Sequence, residues 1–158
     1  IQIKGNGELP IVGETGEVVG TGTPTSMAPT PTATLAAAPL DHDSRTAPLA
    51  RVTFTANGTR SFLFTGDVSA PQGDSEDWVE FTPYTPQVTI EIVCLSGTVS
   101  AEIWQGDTPI GEATELACGL TQTLTVLAAQ PYLVHVWATT PSGGLQYARY
   151  TLHVSSLP

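Results

Sequence analysis

From Leu49 onward, apolar and polar residues alternate with a period of two, and turn-forming residues interrupt the pattern at short intervals. Residues 52–55 and 61–64 flank Asn57-Gly58, a pair suited to the positive φ angles of a type I′ turn, so a hairpin is expected there. Residues 77–82 place Trp78 and Glu80 on one face and Val79 and Phe81 on the other. In residues 88–94, Val88, Ile90, Ile92 and Cys94 share a face. Strands are also expected at 99–104, at 122–127 with Leu124 and Val126 inward, at 132–137, and at 147–154 with Tyr150, Leu152 and Val154 inward. About eight short strands and no periodic helix predict an all-β fold, an antiparallel β-sandwich of jelly-roll or immunoglobulin-like type.

The chain before Leu49 reads differently. Residues 1–19 hold two short alternating pieces, Ile1 with Ile3, and Leu9 with Ile11 and Val12, around the turn Gly5-Asn6-Gly7. A lone strand is unstable in water, so this arm is expected to pair with a sheet edge. Residues 20–48 begin with an uncharged run rich in Thr, Pro and Ala, an extended spacer whose threonines can carry O-linked sugars. Its end, Asp41-His42-Asp43-Ser44-Arg45, reads as a solvated polar elbow rather than an Asp/His metal corner. Residues 49–158 form the domain.

Composition narrows the function. Fifteen acidic residues against five basic ones give a net charge of −10, which leaves no basic patch for nucleic acid or anionic membrane. No apolar run approaches the roughly 20 residues that span a bilayer. The chain opens at Ile1 without a leader-like stretch, as expected of a mature product or of a piece of a longer chain. Charged residues are only 13% of the total, a profile that suits secreted and cell-surface β-proteins. Cys94 and Cys118 fall in one domain and can face one core, so a disulfide is expected, the alternative being two buried thiols.

Catalytic motifs are missing from the sequence: there is no Gly-x-Ser-x-Gly, no His-Glu-x-x-His, no phosphate-binding glycine loop and no Cys-x-x-Cys. His135 and His153 lie on outward faces of strands that can be neighbours, and read as surface histidines. Leu133, Trp137 and Trp104 are candidates for an exposed contact face. Asn57-Gly58-Thr59 is formally a glycosylation sequon, although the turn accounts for it.

The order of features in residues 51–158 resembles the bacterial pre-peptidase C-terminal domain. The matching pieces are Asp77-Trp78-x-x-Phe81 after an acidic loop at 66–76, the run Pro86-Gln87-Val88-Thr89-Ile90, and Ala101-Glu102-Ile103-Trp104 with its Gly-Asp turn. Gln130-Pro131-Tyr132-Leu133-Val134-His135-Val136 and Tyr150-x-Leu152-x-Val154 complete it. Gln130-Pro131 departs from the family, which commonly has glycine before that aromatic. Residues 1–12 also resemble the last strand of bacterial SH3-type surface repeats. The first resemblance implies a non-catalytic module similar to carbohydrate- and collagen-binding domains, of bacterial origin. It needs no cofactor, although some relatives bind Ca²⁺ at acidic loops. Asp67, Asp74, Glu76 and Asp77 are the residues here that could hold a structural Ca²⁺, and a solvated loop is the plainer reading.

Two functions follow as expectations. The first is a non-enzymatic structural subunit on the cell surface, self-assembling into filaments as residues 1–12 add a strand to a neighbouring copy. The alternative is an accessory module of a larger secreted protein, binding a glycan or another surface protein.

Overall fold

In a computed structural model of the protein, residues 35–110, 116–139 and 144–156 are described. Ten strands lie among them: β1 (Ala50–Thr53), β2 (Ser61–Ala70), β3 (Glu76–Thr82), β4 (Gln87–Ser96) and β5 (Val99–Gln105) come first. After them come β6 (Thr108–Pro109), β7 (Leu116–Ala117), β8 (Thr121–Thr125), β9 (Tyr132–Ala138) and β10 (Gln146–Ser156). They form two sheets. The first is ordered β1-β3-β9-β5-β6, with β7 also paired to β5; the second is ordered β2-β10-β4-β8. The expected all-β sandwich is present, and β6 and β7 are two-residue additions to the eight longer strands.

The period-two pattern explains the core. Val79 and Phe81 of β3, Tyr132, Val134 and Val136 of β9, and Val99, Ala101 and Ile103 of β5 point inward from the first sheet. Val88, Ile90 and Ile92 of β4 meet them from the second sheet, with Ala148, Tyr150, Leu152 and Val154 of β10. Each fully buried Val, Ile, Leu or Phe contributes roughly 1.5–3 kcal/mol, which makes this two-sided layer the main source of stability. The cysteines staple its margin. Cys94, on β4, is bonded to Cys118, just past β7, and so ties the second sheet to a strand of the first.

The Asn57-Gly58 turn corrects the sequence reading. It exists, with Thr55 N–H donating to Thr59 O and Gly58 N–H to Thr55 O, but it is not a hairpin tip. Strand β1 runs parallel to β3, whereas β2 pairs antiparallel with β10. The turn therefore carries the chain from one sheet to the other. Turn chemistry is local, and it does not choose the partners of the strands on either side.

The acidic loop is also shorter than the pattern suggests. Strand β2 continues through Asp67 to Ala70, so only residues 71–75 remain outside strands. Packing on the sandwich begins ahead of Leu49. Ala38 is buried, its N–H donates to Ser69 Oγ, and its carbonyl accepts from Asp74 N–H. Asp43 accepts the Trp78 N–H, which fastens the lead-in segment to β3. The proposed assembly arm, Ile1, Ile3, Leu9, Ile11 and Val12, lies outside the described residues.

Candidate functional site

Two groups of polar side chains stand out, and both are organised by β3. The first is a cluster of aspartates. Asp77 sits on the core-facing side of β3 at 1% exposure, and one oxygen from each of Asp41, Asp43 and Asp77 lies within 4.8 Å of the others. Asp74 is close enough to interact with all three. Burial is the main cause that pushes up the Asp43, Asp74 and Asp77 carboxyls, to about 6, about 7 and about 8, and like charge on neighbouring aspartates adds to it. Hydrogen bonds from the Trp78 N–H to Asp43 and from Tyr150 to Asp77 offset part of that rise.

Asp74 Oδ2 and Asp77 Oδ1 are buried without a hydrogen-bond partner. Among the described residues, no lysine or arginine pairs with any of the four carboxylates. Hard oxygen donors, orphaned acceptors and an excess of negative charge fit a divalent cation of the Ca²⁺ type. Asp41, Asp43 and Asp77 would hold it, with Asp74 beside them. Such an ion would supply the missing positive charge and fasten residues 41–43 to the start of β3.

The second group covers the outer face of the first sheet. Register places Glu76 opposite Trp137 and Trp137 opposite Ser100; the next row runs Trp78, His135, Glu102, and the next Glu80, Leu133, Trp104. His135 is the centre. Its ring stacks on Trp78 at 4.0 Å and 8°, its Nε2 lies 2.7 Å from Glu76 and its Nδ1 3.2 Å from Glu102. A neutral imidazole donates from one nitrogen only, so only the protonated ring can donate to both carboxylates. Glu102 Oε1 also accepts the Trp104 indole N–H at 2.8 Å. Arg45 lies over the Trp104 ring at 5.7 Å and pairs with Asp107 at 2.8 Å, which covers the far end of this face.

The residues singled out in the sequence are thus distributed as follows. Asp74 and Asp77 join the aspartate cluster. Asp67 instead accepts from the Tyr147 hydroxyl at 3.0 Å, and Glu76 is turned to His135. Asp41 and Asp43 join the cluster from the lead-in segment, where they had read as a solvated elbow. Their alternation in an extended stretch is a signal, but nothing local shows that Asp43 meets a strand 34 residues further on. Leu133, Trp137 and Trp104 do share one face; Leu133 is buried there at 8% exposure, and Trp104 lies under Arg45. His135 and His153 are not neighbours, because β9 and β10 belong to different sheets. His153 faces Glu91 on the outside of the second sheet.

No protein-family model and no curated protein matches the chain. Among solved structures, it is similar to PliG of Aeromonas hydrophila, a periplasmic inhibitor of g-type lysozyme. Identity is 18% and the TM-score 0.44, over 67% of this chain and 95% of that one. It is also similar to the pre-peptidase C-terminal domain of Bacillus anthracis collagenase, at 15% identity and a TM-score of 0.44, over 68% and 96%. PliG of Salmonella Typhimurium is a third, at 12% identity and 0.42, over 67% and 96%. The family whose motifs the sequence resembles is therefore among the structures this chain is similar to.

Proposed function

We propose that this chain is a non-catalytic extracellular module that binds a protein partner through the outer face of its first sheet, with Ca²⁺ at the aspartate cluster as a structural ion. The observation that carries the reading is the trio Glu76, His135 and Glu102, joined through the His135 ring beside Trp137. It is an ordered acidic and aromatic surface that stays open where Arg45 does not reach. Bonded Cys94 and Cys118 suit an oxidising compartment. Both His135 nitrogens and His153 Nδ1 face carboxylates rather than a hydroxyl or thiol, an arrangement that supports binding over nucleophilic catalysis.

Two affinity columns test this, one carrying the whole chain and one its Trp137→Ala variant, both loaded with the secreted proteins of the source cell. Proteins held by the first and released by the second are the expected result, and they identify the partner. Equal retention on both columns would remove this face from consideration. Retention of glycans instead would make the module a carbohydrate binder. Regular fibres of the chain in electron micrographs, lost on deleting residues 1–22, would replace the reading with the strand-donating structural subunit.

A further inference from the structure

A cavity of about 380 Å³ opens on the outer face of the first sheet, lined by Ser75, Glu76, Glu102, His135 and Trp137 among others. We propose that it is a recognition pocket for an arginine side chain of a basic partner protein. This rests on the protein-binding reading above and names the chemistry of the contact.

Charge arithmetic is the first support. Two carboxylates face one imidazole, so even a protonated His135 leaves one negative charge over. Among the described residues, no lysine or arginine reaches Glu76 or Glu102. Each glutamate commits one oxygen to His135, Glu76 through Oε2 and Glu102 through Oε1, and among the described residues the second oxygen of each has no partner. A planar guanidinium presents donors in a fork, which suits two carboxylates flanking one cavity better than the point charge of an ammonium.

Shape and preorganisation are the second. Trp137 supplies an aromatic wall, a surface on which a guanidinium stacks favourably. His135 is fixed between Trp78, at 4.0 Å, and Trp137, at 5.0 Å, so the two carboxylates are held before any ligand arrives. The volume lies within the range of small-ligand sites and can hold one long side chain. The wider field has the same sign. The whole chain carries −10. Such a field speeds encounter with a basic protein and disfavours acidic ones.

The test uses the intact chain and N-acetyl-arginine methylamide as probe, followed by the indole N–H signals of the three tryptophans in NMR. The citrulline analogue is a neutral isostere and serves as control. The expected result is a saturable shift of the Trp137 signal at roughly millimolar probe, no shift with citrulline, and affinity about tenfold weaker in Glu76→Gln. In Trp137→Ala, where that indole signal is gone, calorimetric titration with the same probe should show no binding while the melting temperature stays at the wild-type value, which separates loss of the pocket from loss of the fold. Equal response to citrulline, wild-type affinity in Glu76→Gln, or no response to arginine would overturn the proposal. If arginine fails while the Trp137→Ala column still loses its partner, the protein-binding reading stands and only the arginine pocket falls.

Discussion

The Tyr150 hydroxyl donates a hydrogen bond to Asp77 across the interior of the sandwich. Tyr150 belongs to β10 of the second sheet and Asp77 to β3 of the first, with 0% and 1% exposure. Asp77 has the inward parity of Val79 and Phe81, so a carboxyl stands at the rim of an apolar layer. Desolvation raises it to about 8, and the Tyr150 hydroxyl is what opposes that rise.

Tyr150→Phe should therefore cost more in alkaline than in acid solution. With the hydroxyl gone, an ionised Asp77 has lost a charge-assisted hydrogen bond, worth about 1.5–3 kcal/mol. Below pH 6 the carboxyl is neutral and the loss should shrink to about 1 kcal/mol. Urea denaturation at pH 5 and pH 9 measures both. Equal losses would mean that Tyr150 serves packing rather than charge.

Gly66→Ala strikes the same pair from the other side. Gly66 faces Tyr150 in the β2–β10 register, and a Cβ there would collide with Asp77 Oδ2 while lying 2.8 Å from the Tyr150 hydroxyl. Since the site is filled, the added methyl must displace the hydrogen-bonded pair. The expected cost is about 1–3 kcal/mol, read as a lower urea midpoint with an unchanged slope. A neutral substitution would show that the pair has room to move.

The disulfide should act on the whole sandwich. Cys94 and Cys118 close a loop with a sequence separation of 24, and on the chain-entropy account such a bridge stabilises by about 3 kcal/mol. Reduction, or replacement of both cysteines by alanine, should lower the melting temperature while the far-ultraviolet spectrum of the fold persists. An unchanged melting temperature would show that packing alone holds β4 against the segment after β7.

Much of this arrangement could be read from alternation. Val88, Ile90 and Ile92, or Tyr150, Leu152 and Val154, face the core because period-two spacing admits only two faces, and one of them must be buried. What alternation cannot supply is partnership. Asn57-Gly58 looks like a hairpin tip from its local chemistry, yet its flanking strands find partners at β3 and β10. Asp41 and Asp43 read as solvated for the same reason: the carboxylates they meet lie far along the chain. Glu76 and Glu102 meet one histidine only because β3, β9 and β5 bring them to the two sides of His135.

The aspartate cluster predicts a pH dependence opposite to that of ordinary paired carboxylates. Burial, with like charge on neighbouring carboxylates, pushes folded Asp43, Asp74 and Asp77 up from the ordinary 3.8 to about 6, about 7 and about 8. Between pH 4 and 8 the folded chain thus holds more protons than the unfolded one. Stability from these groups is fully present below the unfolded value of 3.8 and is lost progressively as pH rises from there through the folded values of about 6, about 7 and about 8. Thermal melts in EDTA should show a melting temperature that falls from pH 5 to pH 8.5. Saturating Ca²⁺ should raise the pH 8.5 value and flatten the slope. A flat profile in EDTA would show that the carboxylates are not in conflict.

Asp77→Asn separates the two charge states of that cluster in one substitution. Without a divalent ion, the amide removes a buried charge at pH 8.5 and can still accept from Tyr150, so the variant should melt above wild type. With Ca²⁺ the order should reverse, because the amide is a weaker ligand for a hard cation and the remaining aspartates bind it less tightly. Calorimetric titration with Ca²⁺ checks the same point through affinity, expected to fall at least about tenfold. A variant more stable than wild type in both conditions would mean that the clustered charge is never neutralised by an ion. A variant less stable in both would mean that the Asp77 carboxylate is needed for the fold itself.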